Sequence, residues 1–264
     1  MFRFSRFVFA AALVGLVALT AQARVAPPAP IVDRVAKANT VVVGTVTSIE
    51  EKGVAIDGAE YKVAIVKVAD AVKGAKDQTH VRVAFSPNAR FPANSVQKDL
   101  DVILFLNPVK GQPYFTTRMY YDVVNQKSPA WDKEVAATKA CAAVAADPGK
   151  FLKDGKPEEK LLAAALLVLQ YRDPSDTNGK QAAIDAAQSK AILTVLADAD
   201  WTKQDSEGPL GPLNGQQLFT RLGATPADGW TPPMNFANFQ DEAKKWLKAN
   251  ADKFVIKKFL RDQE

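Results

Sequence analysis

Two runs of this sequence leave little freedom for the fold. Thr40–Ile49 reads TVVVGTVTSI, and Asp101–Asn107 reads DVILFLN. Side chains alternate across a strand, so a strand that is apolar on both faces must be covered on both. Val41 and Val43 share a face with Thr45, Thr47 and Ile49, while Val42 and Val46 lie opposite with Gly44 and Ser48. Gly44 in the middle of such a run predicts a bulge or a close approach of another backbone. Tyr61–Val68 and Val81–Phe85 alternate more cleanly and predict two further strands. Glu50–Ala59 carries Gly53, Asp57 and Gly58 and predicts a turn, with a short strand at Val54–Ile56. After Pro108–Pro113, Tyr114–Val124 predicts a return strand or hairpin that closes a five-stranded unit.

The period changes after Ser128. Pro129–Ala145 predicts an alanine-rich helix, with Trp131, Val135, Thr138 and Ala142 at helical spacing. Pro157 and Glu158–Glu159 mark the start of a second, because proline suits the first turn and acids complement the helix dipole. Leu161–Leu169 has no polar side chain, so that helix is buried on most sides. Gln181–Ala199 predicts a third helix, Gln216–Leu222 a short one, and Phe239, Ala243, Trp246 and Leu247 a last one; Lys253–Leu260 follows as a short strand or a helical extension. Trp201–Leu213 and Ala224–Ala237 are rich in proline and glycine and read as loops. Asp33–Ala38 is a single helical turn or a loop.

Residues 1–23 have the pattern of a secretory signal. Arg3 and Arg6 precede the apolar run Phe7–Leu19, and Ala21-Gln22-Ala23 offers small residues for cleavage. The run is shorter than the roughly 20 residues that span a bilayer. No cysteine follows the cleavage site, so a lipid anchor is not expected. Cleavage near Ala23 removes two arginines from the 34 basic residues and leaves 32 against 29 acids, a net charge of +3. That balance is no nucleic-acid footprint. The expected partition is 1–23 signal, 24–37 proline-rich lead-in, 38–126 β unit and 127–264 helical domain. A single cysteine, Cys141, excludes an intramolecular disulfide, and its alanine-rich setting predicts a buried, inert thiol.

The order of features in 38–124 resembles a netrin-like domain, the OB-type barrel also found in tissue inhibitors of metalloproteinases. The residues that carry the resemblance are Ala38–Val46, Tyr61–Val68 leading into Ala71–Gly74, Val81–Phe85, Leu100–Leu106 and the aromatic return at Tyr114. They cover about a third of the chain. The chain as a whole looks like exported bacterial proteins in which such a barrel precedes helices. The resemblance implies an α+β protein: an N-terminal five-stranded OB-type barrel followed by an α-helical domain. Relatives that inhibit metalloproteinases chelate zinc through an N-terminal cysteine. Here the mature terminus is Arg24-Val25 and the family's disulfides are absent, so the fold carries over and the inhibition does not.

Chemistry-bearing constellations are sparse. The only histidine, His80, should face outward beside Arg82. No Gly-x-Ser-x-Gly elbow, P-loop or Gly-x-Gly-x-x-Gly is present. A zinc site of histidine and cysteine needs more than one of each. Four carboxylate pairs stand out: Asp99/Asp101, Glu158/Glu159, Asp198/Asp200 and Asp241/Glu242. Two carboxylates in one cleft can perform glycosidic acid–base work, but closeness in sequence does not place them in one. Lys62, Lys67, Lys73, Lys76 and Arg82 accompany Tyr61 and Phe85, the ingredients of a single-strand binding face. The C-terminal lysines 244, 245, 248, 253, 257 and 258 with Arg261 flank Trp246, Phe254 and Phe259, the pattern of an amphipathic face. The expectation is an exported, non-catalytic binding or interaction protein, with no catalytic, cofactor or metal residue assigned. Its partner is a protein or small ligand of the envelope, not nucleic acid. The alternatives are a carboxylate hydrolase and a protease inhibitor by family analogy.

Overall fold

The computed structural model describes residues 28–86, 96–175, 177–202, 208–211 and 213–261. The signal segment, residues 24–27 of the lead-in, most of the Ser86–Gln97 loop and parts of Trp201–Leu213 lie outside the described residues.

Helix α1 (Ile31–Lys37) comes first, followed by β1 (Thr40–Ile49), β2 (Val54–Ile56), β3 (Ala59–Lys73), β4 (His80–Phe85), β5 (Asp101–Pro108), β6 (Phe115–Thr116) and β7 (Val123–Asn125). β1 pairs antiparallel with β3 on one side and with β5 on the other. β3 pairs with β4, β4 runs parallel to β6, and β6 returns to β5. Five strands of this mixed sheet are thereby hydrogen-bonded in a ring. Val42, Val46, Val66, Val83, Leu104 and Leu106 belong to the core cluster of one face. Val41, Ile103 and Phe105 point the other way, into the core shared with the helices. The two-faced apolar pattern of β1 and β5 is thus explained by two separate cores.

At Gly44 the register between β1 and β3 shifts, and a Cβ there would stand 2.3 Å from the Lys67 carbonyl oxygen. The glycine is where two backbones touch. Asp57 and Gly58, both with positive φ, form the two-residue turn from β2 to β3.

The expected return strand is corrected. Only Phe115–Thr116 and Val123–Asn125 pair with the sheet, and Tyr120–Asp122 forms a 3₁₀ turn between them. Asp122 Oδ2 accepts the N–H groups of Arg118 (3.0 Å) and Met119 (2.8 Å), so a side chain takes backbone donors that a ladder would use.

The second half holds α2 (Trp131–Ala146), α3 (Pro148–Asp154), α4 (Pro157–Tyr171), β8 (Thr177–Ala183), α5 (Ala186–Asp198), α6 (Gly215–Leu222), α7 (Phe239–Asn250) and β9 (Lys257–Arg261). α4 is the hub: every residue from Leu162 to Leu169 is buried. The helix expected over Gln181–Ala199 is shorter. Asp185 caps α5 by accepting the Gln188 N–H (2.8 Å), and Gln181–Ala183 belong to a strand paired with β9. With α1 ahead of the sheet and the β8–β9 ribbon among the helices, the architecture is a large sheet plus helices, not a strict β-then-α order. No helix among the described residues is long and apolar enough to cross a membrane.

Helix α1 is buried from Ile31 to Ala36 and packs between the sheet and helices α2 and α4. Its C-terminal carbonyls are held by Lys73, whose Nζ donates to Val35 (2.8 Å) and Ala38 (2.6 Å).

Candidate functional site

A cavity of about 580 Å³ opens where the start of α4 meets the end of α5. That volume is in the range of small-molecule sites. Ala140, Leu161, Leu162, Leu210 and Leu213 supply apolar lining. Around them stand Glu158 and Glu159 from the first turn of α4, and Asp198 and Asp200 from the end of α5. Two of the four sequence-identified carboxylate pairs, some forty residues apart, therefore line one pocket. The described lining includes no lysine or arginine.

Each part of the rim has a local cause. Glu159 accepts the Lys156 N–H at 2.8 Å, closing the first turn behind Pro157. Asp200 Oδ1 accepts from the backbone N–H (2.9 Å) and hydroxyl (2.7 Å) of Thr202, which turns the chain out of α5. Lys244 Nζ donates to the Ala199 carbonyl at 2.6 Å. Trp201, 3% exposed, donates its indole N–H to the Leu196 carbonyl at 2.8 Å. The third side, Gly208–Leu210 with Leu213 and Asn214, is fastened to α1 by Val32 N–H to Pro209 O (3.1 Å). Asn214 and Gln217 then exchange side-chain-to-backbone hydrogen bonds that start α6.

The pocket thus combines an apolar lining with carboxylates from two helices on its rim. Such a rim attracts and orients a cation. Glu158, Asp198 and Asp200 are exposed, and Glu159 is half-buried. Among the described residues, no three of His, Cys, Asp and Glu converge as metal ligands.

The other candidates are dispersed. His80 is exposed, with its Nδ1 3.2 Å from the Thr79 hydroxyl. Arg82 is bound to both carboxylate oxygens of Glu50 and stacks over the Tyr114 ring at 4.6 Å. Phe85 is buried in the sheet and Lys73 caps α1, so the basic and aromatic residues of the β unit do not form one face. Asp101 accepts the Thr45 hydroxyl at 2.6 Å. Asp241 and Glu242 occupy the first turn of α7. Cys141 is fully buried, and burial pushes its thiol up to about 12. Trp246 and Phe254 pack edge to face at 5.1 Å in an aromatic cluster centred on Phe219, which also takes in Trp201 and Trp230. Trp201 and Trp230 from the proline- and glycine-rich loops are thus packed into the helical core, whereas Phe236 stays exposed.

One charged cluster was not foreseen. Arg34 in α1 is buried and donates to the carbonyls of Ala29 and Tyr121, both at 2.9 Å, with Phe105 and Tyr121 under its guanidinium. Asp33, Arg118 and Asp122 join it around a cavity of about 180 Å³. Burial lowers the Arg34 pKa, against the opposing charges of Glu134 and Asp122, and burial raises that of Asp122 despite its two backbone donors. The available signal was the pair Asp33-Arg34 inside the otherwise apolar run Ile31–Ala36. Its hydrogen bonds tie α1 to the 3₁₀ turn between β6 and β7.

The chain matches no protein-family model, and comparison with curated proteins returns no match.

Proposed function

We propose that this chain is an exported, non-catalytic binding protein whose carboxylate-rimmed pocket takes a ligand with an apolar body and a cationic group. In this reading residues 1–23 are a cleaved signal, and the ring of strands is an OB-type barrel of the netrin-like kind that serves as scaffold. The observation that carries the proposal is the meeting of Glu158/Glu159 and Asp198/Asp200 on one apolar cavity. Burying alkyl surface is worth about 25 cal/mol per Å², and a charge near several carboxylates adds orientation and on-rate.

The test is calorimetric titration with a matched pair of ligands, a medium-chain alkylammonium and the alcohol of equal length. The ammonium compound binds more tightly, and Asp198→Asn narrows the gap. Equal affinity for both, or binding to neither, removes this ligand class. Sequencing the N-terminus of protein recovered outside the cytoplasm tests the export reading; a chain still beginning at Met1 counts against it.

The same meeting of carboxylates favours a second reading, an envelope hydrolase. Turnover of glycosidic substrates by purified protein, abolished by Glu159→Gln or Asp198→Asn alone, would establish it over the binding reading.

A further inference from the structure

Beyond the pocket, the surface from Thr225 to Asn238 has an unusual composition. It reads TPADGWTPPMNFAN and holds one charged side chain, Asp228, in a chain that is 24% charged. That carboxylate is engaged by the N–H (3.0 Å) and hydroxyl (2.6 Å) of Thr225. Apart from Trp230 and Pro233, the residues of the strip are exposed. Met234 is fully exposed and Phe236 is 69% exposed. Solvent-facing segments that lose charge and gain methionine and aromatic side chains have the composition of an interface core.

Shape adds to composition. A groove of about 310 Å³ adjoins the same strip, between Phe219, Trp230 and Phe239, with Ala224, Pro226 and Pro232 on its edges. Phe236 packs on Phe239 with ring centroids 5.4 Å apart, so projection and groove share an aromatic neighbour. At about 310 Å³ the groove has room for apolar side chains such as methionine and phenylalanine. A projection and a socket side by side on one surface suit a twofold contact, in which each copy fills the socket of the other.

We propose that Thr225–Asn238 is an isologous interface between two copies of this chain, with Met234 and Phe236 of each copy entering the groove beside Trp230 of the other. The strip supplies a dozen exposed residues, fewer than the roughly 20–30 per side of a standard interface. The dimer is therefore reversible and concentration-dependent.

Sedimentation equilibrium of the purified mature chain over a wide concentration range tests this. The wild type passes from monomer to dimer. Phe236→Glu and Met234→Glu each weaken the dimer at least about tenfold, as loss of a central apolar anchor does. Both positions are exposed, so these variants keep the fold, checked by circular dichroism. Ala224→Trp, which fills the socket and leaves the projection intact, weakens the dimer equally. Mixing Phe236→Glu with Ala224→Trp protein restores one of the two contacts and produces a heterodimer that neither variant forms with itself. A wild type that stays monomeric throughout overturns the proposal, as does a dimer that none of the three substitutions weakens.

Discussion

Gly215→Ala tests the construction of the pocket at a single atom. Gly215 is the first residue of α6, next to Asn214 on the pocket wall. On helix propensity alone, alanine in place of glycine gains about 0.5–1 kcal/mol. Packing opposes this. A Cβ at 215 would lie 2.1 Å from the indole nitrogen of Trp201 and 2.2 Å from its Cδ1. The ring must retreat by about 1.5 Å to reach ordinary contact distance. Trp201 is 3% exposed, donates to Leu196 O at 2.8 Å and leans on Phe219 at 6.1 Å, so it cannot move without loss. The hydrogen bond is worth about 1 kcal/mol, and overpacking costs about 1–3 kcal/mol. The net expectation is about 1–3 kcal/mol of destabilisation, read as a lower denaturation midpoint at unchanged slope. In a Trp201→Phe background the same substitution costs less, with a coupling of at least about 1 kcal/mol. A Gly215→Ala protein as stable as wild type, or an additive double mutant, refutes the seating of the indole on this glycine.

Four further outcomes follow from the same geometry. Gly44→Ala meets a carbonyl, not a side chain, at 2.3 Å, so it costs more than Gly215→Ala, at least about 3 kcal/mol by thermal unfolding; a smaller loss shows that β1 and β3 separate easily. Cys141 is inert to a disulfide reagent in the native chain and titrates fully in denaturant, since burial holds its thiol near 12; native reactivity contradicts the packing of α2. Asp173 lies below the usual carboxylate range: burial pushes it up, but hydrogen bonds from Ser175 and the charges of Lys37 and Arg118 outweigh this. Its contribution is therefore complete above about pH 5 and lost as pH falls through the depressed folded value, so Asp173→Asn flattens the acid limb of midpoint against pH; an unchanged limb shows that Asp173 is not its source. Finally, all four tryptophans lie in residues 131–246 and none in the strand ring, so fluorescence reports the helices while amide circular dichroism reports both halves. The two unfolding curves coincide if the shared core makes one cooperative unit, and separate if 38–126 and 127–264 unfold independently.

What could be read from the sequence depended on how local its cause was. β1 and β5 were legible because both of their faces are apolar, and α7 because Phe239, Ala243, Trp246 and Leu247 keep helical spacing and are buried. Asp57-Gly58 was legible because it carries its own turn chemistry. The return strand was misjudged because Asp122 diverts two backbone donors, a competition settled by one side chain. The last residues of β8 fall in the expected helix because Gln181–Ala183 are ordinary helix formers; their partner, β9, lies some 75 residues away, beyond any local window. The Asp185 cap was the readable sign that α5 starts later. The carboxylate pairs could be named but not assembled. Only the packing of α4 against α5 decides that Glu158 and Asp198 share a cavity while Asp99 and Asp241 do not line it.

Helix α1 shows why the halves cannot be weighed separately. A seven-residue helix is too short to hold itself together, so its stability comes from what covers it. Val32 and Val35 are fully buried in the core that also contains Phe105 from β5 and Leu166 from α4. At one end Arg34 reaches the Tyr121 carbonyl beyond β6, and Val32 N–H holds Pro209 on the pocket wall. At the other, Lys73 of β3 clasps its last carbonyls. Removing α1 would uncover the outer face of β1 and β5 and one side of α4 together, and would release the wall that carries Leu210 and Leu213. The segment that reads as a lead-in is therefore the piece through which the strand ring supports the pocket.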